Sequence, residues 1–132
     1  MSAGIVFKRI GGCMTKQLKP GIILQIEKRP DAVRRLLIST PTKDFAEFFT
    51  PYKTELEAYD LQWISICRGI SEAIQMGQRT IHIQMTDPNI VNSICTNQYP
   101  TDNINTKYYH LIITGSIAKT EWTGIRAIEP QY

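Results

Sequence analysis

The sequence predicts a single α/β domain, a five-stranded mixed sheet in which an antiparallel meander is followed by parallel strands, flanked by helices. Three observations carry that expectation. Short β-branched runs joined by tight connections occupy residues 4 to 40. A proline-free stretch with apolar residues at helical spacing then runs from Thr54 to about Met76. Finally, an alternating run ends at Asp87, and Pro88 and a second helical pattern follow at once, as in a strand-to-helix crossover.

The first expected strand is GIVFKRI, residues 4 to 10, in which Ile5, Phe7 and Arg9 alternate with Val6, Lys8 and Ile10 before Gly11 and Gly12 end the run. GIILQIEK, from Gly21 to Lys28, reads as the second. Pro30 and Asp31 make a turn, and AVRRLLIST at 32 to 40 is the third. The stretch PTKDFAEFFTP, residues 41 to 51, breaks this pattern and reads as a helical turn or a loop.

In the long helix the apolar positions Leu61, Ile64, Ile70, Ala73 and Ile74 recur at helical spacing, and Gly77 is a natural stop. RTIHIQMTD, residues 79 to 87, alternates Ile81, Ile83 and Met85 with His82, Gln84 and Thr86, giving a fourth strand. Asp87 can cap free amides and Pro88 suits the first helical position, so PNIVNSICTN is expected to be a short helix. TKYYHLIITGSIAKT reads as another, and EWTGIRAIEP as a fifth strand stopped by Pro130.

The chain has 132 residues, 42% of them apolar, enough for one core without help from metals or disulfides. Its formal charge of +3 falls well short of the balance found in dedicated nucleic-acid binders. No apolar run approaches the ~20 residues of a membrane span, so no membrane association is expected, and the first residues lack a secretory pattern. Cys13, Cys67 and Cys95 are far apart and lack CxxC or His pairing, so they read as reduced, mostly buried thiols. An intracellular location, cytoplasmic or nuclear, is the expectation that follows.

The order of elements and several motifs resemble the ribonuclease H-like domains of retroelements, the type associated with the reverse transcriptase of LTR retrotransposons. In LQWISICRGISEAIQMG, residues 61 to 77, Trp63, Gly69, Ile70, Ala73 and Gly77 fall in register with that family's long helix. TIHIQMTDPNIVNSI is similar to its strand ending in Asp-Ser and the following Val-Asn helix, one residue shorter between Asp87 and Asn92. QYPTDNINTKYYHLI resembles its Tyr-containing loop and Lys-Tyr helix, and GIILQI at 21 to 26 its second strand. The resemblance spans nearly the whole chain. An extra segment at about 41 to 53 has no counterpart, and the family's C-terminal helix is absent.

The resemblance implies where chemistry would lie. Enzymes of this kind hold two magnesium ions with clustered carboxylates, which activate water and stabilise the leaving oxygen. The family's first catalytic Asp falls on Ile10 here, and its helix Glu, placed before the aromatic, falls on Gln62. The third carboxylate is retained as Asp87, which has a structural reason to exist as a helix cap, and the fourth has no counterpart. No catalytic residue and no metal are therefore expected.

Glu55 lies two turns before Gln62 on the helix, roughly 10 Å away, while Glu57, Asp60 and Glu72 point elsewhere. His82 and His110 have no Ser, Cys or carboxylate at suggestive spacing and read as packed or surface histidines. Trp63, Trp122, Tyr108 and Tyr109 read as packing residues rather than stacking platforms. Lys8, Arg9, Lys16 and Lys19 near the first hairpin, with Arg34 and Arg35 on the third strand, are candidates for a positive stripe that contacts phosphate, weighed against an ordinary solvated strand surface.

Two functional expectations follow. The favoured one is a pseudo-enzyme of retroelement or viral origin that binds a protein partner, forms a homodimer, or weakly binds RNA or RNA–DNA duplex. The alternative is a magnesium-dependent nuclease with an altered or partner-completed site, in which Asp87 would be a ligand.

Overall fold

The computed structural model describes residues 12–13, 21–39, 44–98, 104–117 and 124–130. The elements are strands β1 (Gly12–Cys13), β2 (Ile22–Lys28), β3 (Ala32–Ser39) and β4 (Asp44–Pro51), helix α1 (Glu55–Gln75), strand β5 (Ile81–Met85), helices α2 (Pro88–Cys95) and α3 (Ile104–Ile117), and strand β6 (Gly124–Ala127).

The sheet order is β1-β6-β5-β2-β3-β4. β2, β3 and β4 form an antiparallel meander, while β5 adds parallel to β2 and β6 parallel to β5. These five strands make the expected mixed sheet of meander and parallel additions, and four of them, β2, β3, β5 and β6, are strands expected from the sequence. The two residues of β1 extend it at the far edge, antiparallel to β6. The central strand is thus Ile22–Lys28, and the meander begins there.

One expectation is corrected by this arrangement. The segment at 41 to 53, read as an extra turn or loop, contains the third meander strand, Asp44–Pro51. Its two adjacent phenylalanines and flanking prolines hid the alternation, because on an edge strand both faces keep contact with water and neither needs to be uniformly apolar. The strand expected at residues 4 to 10 lies outside the described residues, and the meander does not need it.

Alternation along the strands sets the layers. Ile22, Leu24 and Ile26 of β2, Val33 and Leu37 of β3, Ile81, Ile83 and Met85 of β5 and Ile125 of β6 are all buried. They form one core with Trp63, Ile66, Ile70 and Ala73 of α1, Ile90, Val91 and Ile94 of α2, and Ile113 of α3. At Gly69 α1 packs tightly on the sheet: a Cβ there would overlap the δ-methyls of Leu24. Glycine at this position lets a helix backbone lie directly on a strand.

α1 begins where Thr54 accepts a hydrogen bond from the Glu57 amide (3.1 Å), and the Glu57 carboxylate accepts one from the Lys53 amide (3.0 Å). It ends where Gly77 takes φ +80°, in the left-handed region that glycine occupies without strain. Trp63 is fully buried, edge-on to Tyr59 (6.4 Å between ring centres) and tilted against His110 (6.0 Å). His110 is itself buried, with Nε2 3.4 Å from the Ser93 carbonyl. Both residues pack rather than present themselves to a ligand.

Cys67 is a free thiol, and burial pushes it up to about 11. Cys95 is disulfide-bonded, so the expectation of three reduced cysteines is corrected, and one support for an intracellular location goes with it. Among the described residues no helix is long and apolar enough to cross a membrane.

Candidate functional site

In open sheets with parallel strands, functional groups gather beyond the carboxyl ends of those strands. Here the relevant ends are those of β2 and β5. Their register runs from Ile22 opposite Ile81 to Ile26 opposite Met85, and two residues further on come Lys28 and Asp87. The two backbones stay joined past the formal ladder. Thr86 donates its amide to the Ile26 carbonyl (3.1 Å), and the Lys28 amide donates to the Thr86 hydroxyl (3.0 Å).

A shallow cleft of about 220 Å³ opens at this point, lined by Lys28, Gln62, Thr86, Asp87, Pro88 and Pro130. Two of the three positions singled out from the sequence, Gln62 and Asp87, therefore converge. The third, Ile10, lies outside the described residues. The strand that runs beside β5 is β2, so the residue abreast of Asp87 is Lys28. Sequence reasoning missed this lysine because it took 21 to 28 as the second strand of the meander. Once β4 is included in the meander, the count moves by one strand and Lys28 comes forward.

Each cleft residue is already engaged or neutral. Asp87 caps α2, its Oδ1 accepting from the amides of Asn89 (2.9 Å) and Ile90 (3.4 Å). Lys28 places Nζ 2.9 Å from Glu55 Oε1 and 5.6 Å from the centre of the Tyr52 ring. The hydrogen bond to Glu55 raises the Lys28 pKa, so its ammonium stays charged. Gln62 is 1% exposed, and its Oε1 has no hydrogen-bond partner. A carboxylate in so dry a position would need a cation beside it, whereas a neutral amide does not.

A pair of divalent ions does not fit these residues. The cleft offers one carboxylate, with one oxygen committed to a helix cap, one amide and one ammonium, which repels a metal ion. Among the described residues no group of three or more His, Cys, Asp or Glu is placed to hold a metal ion.

Of the candidates for phosphate contact, Lys8, Arg9, Lys16 and Lys19 lie outside the described residues. Arg34 and Arg35 leave β3 on opposite faces. Arg34 bonds Glu47 (2.5 Å) and lies 3.9 Å from Glu27. Arg35 is buried in a two-pronged bond to Glu72 of α1 (3.0 and 2.8 Å) and stacks on Phe48 at 4.5 Å. These two arginines do not share a stripe, and glutamates balance both. His82 is half-buried on β5, and burial lowers its pKa, with Arg126 adding to the effect.

The architecture is shared with solved ribonuclease H structures. One is ribonuclease H1 from the halophilic archaeon Halobacterium salinarum, at TM-score 0.64 and 12% identity, covering 82% of this chain and 85% of that one. Another is the N-terminal RNase H domain of a Mycobacterium tuberculosis protein, solved as a fusion with maltose binding protein, at TM-score 0.62 and 8% identity, covering 84% and 87%. No protein-family model matches the sequence, and no curated protein sequence matches it. The chain has the ribonuclease H-like fold.

Proposed function

We propose that this chain is a ribonuclease H-like domain without metal-dependent nuclease activity, of the retroelement or viral type, kept for association with a protein partner. One observation carries the reading: Lys28 stands beside Asp87 and Gln62 where the strand ends meet α1. An enzyme with this fold would require a carboxylate there, since two magnesium ions need several negative oxygens within a few ångströms. Lysine brings a charge of the wrong sign. Glutamine at position 62 is consistent with it, because a buried neutral side chain needs no cation to offset its desolvation. The pairing of Arg34 and Arg35 with glutamates favours a protein partner over RNA or hybrid duplex.

The test is cleavage of an RNA–DNA hybrid by the purified chain in magnesium and in manganese, with metal binding followed by calorimetry. No cleavage and no metal-binding heat are expected. Turnover that depends on either ion would overturn the reading and establish the altered-site nuclease, with Asp87 as a ligand.

A further inference from the structure

A second concavity lies away from the cleft, between the edge strand β4 and helix α1. It is a groove of about 520 Å³, bordered by Phe48 on the strand and by Leu61, Ile64 and Arg68 on the helix. That is the size of groove that accepts a few side chains. Its floor is the Arg35–Glu72 ion pair, on which Phe48 rests while remaining 46% exposed.

Three features define what would occupy it. β4 is the last strand of the sheet order, so one edge of its eight-residue backbone has no neighbouring strand among the described residues. Open edges of this length pair with added strands. Leu61, Ile64 and the Phe48 ring offer apolar contact beside that edge. Arg68 is exposed on α1 and makes no ion pair among the described residues, whereas the charge of Arg35 is balanced by Glu72. The groove therefore carries one unopposed positive charge.

We infer that this groove binds an extended acidic peptide segment of a partner protein, which lengthens the sheet at β4, sets an apolar side chain against Phe48 and places a carboxylate on Arg68. The inference rests on reading the domain as a protein-association module and names the surface and the chemistry of the partner. A second copy of this chain fits less well. A two-fold contact would bring together two grooves of the same charge, and among its described side chains β4 offers Ala46, Phe48 and Thr50 on the groove side, none of them acidic. Glu47 lies on the opposite face of the sheet, held by Arg34.

The probe is a short fluorescent peptide repeating Val-Val-Asp-Asp, so that the face turned to the groove carries both residue types, titrated into the full chain and read by anisotropy. Saturable binding is expected, weakened about tenfold or more by Arg68→Glu, by lysines in place of the aspartates, or by N-methylation of alternate peptide amides. Circular dichroism checks that Arg68→Glu stays folded. Absence of saturation, equal affinity for the lysine peptide, or indifference to Arg68→Glu would overturn the inference. So would a solution mass showing a dimer that Arg68→Glu dissociates. Metal-dependent cleavage would instead overturn the non-catalytic reading and leave the titration unaffected, so the two failures are distinguishable.

Discussion

The ammonium of Lys28 and the carboxylate of Glu55 meet at 2.9 Å, joining the last residue of β2 to the first of α1 at the mouth of the cleft. A positive charge thus stands beside Asp87 at the strand ends, and a nearby acid holds it in place. The pair is largely exposed and contributes little to stability. Its importance is in holding an ammonium, rather than a carboxylate, at the strand ends.

Replacing Lys28 by Asp and Gln62 by Glu together should create a divalent-ion site with Asp87. Manganese binding, followed by electron paramagnetic resonance, should appear in the double variant and be at least about tenfold weaker in the parent. If the double variant binds no better than the parent, these three residues do not form one site.

Asp87 should matter to stability through its cap. Asp87→Ala is expected to cost about 0.5–2 kcal/mol, and Asp87→Asn, which keeps an accepting oxygen, only a fraction of that. Urea midpoints of the two variants make the comparison. Equal losses would mean that the charge, not the amide contacts to Asn89 and Ile90, is what the fold uses.

Two glycines in helices should respond in opposite directions. Gly69→Ala forces a methyl into Leu24 and is expected to destabilise by about 1–3 kcal/mol. Gly115 has open space around it within α3, so Gly115→Ala should stabilise by roughly 0.5–1 kcal/mol. Thermal melts read both, and a stable Gly69→Ala would contradict the close packing of α1 on β2.

Stability should fall on acidification through His82. Its folded pKa lies below the ordinary 6.5, because burial disfavours the charged ring. Below about pH 6.5 the unfolded chain takes up a proton that the folded chain refuses, so stability drops with pH until the lower folded value is passed. Chemical denaturation across that range, compared with His82→Gln, isolates the effect. A parent and variant with the same slope would assign the pH dependence elsewhere.

Cys67, with its thiol pushed up to about 11, should react slowly with alkylating reagents at pH 8, and at an ordinary rate once the chain is unfolded. Mass spectrometry after timed alkylation measures the protection. Fast labelling of the folded protein would place Cys67 in water.

Much of the fold was legible because period and punctuation agreed. The helix from Thr54 to Gly77, the strand before Asp87 and the Asp87–Pro88 start of α2 all announce themselves locally. What misled was β4. DFAEFFTP places phenylalanines on both faces of a strand, and nothing in the segment says that its partner is Ala32 to Ile38. That one omission moved the meander by a strand and directed attention to Ile10 instead of Lys28. Gln62 and Asp87 were recoverable because each is tied to a neighbour in sequence, Trp63 and Pro88, whereas Lys28 owes its place to a strand pairing across a long stretch of chain.

That pairing also orders the assembly of the molecule. Ile22 meets Ile81 across 59 intervening steps of chain, and the amide of Gly21 is anchored to the hydroxyl of Thr80 over the same span. The hairpins of the meander can form early from near neighbours, but the junction of β2 with β5 must wait until α1 has been laid down between them. A nascent chain ending before Ile81 would therefore present the middle of its sheet as a raw edge, and the cleft would be among the last parts of the molecule to exist.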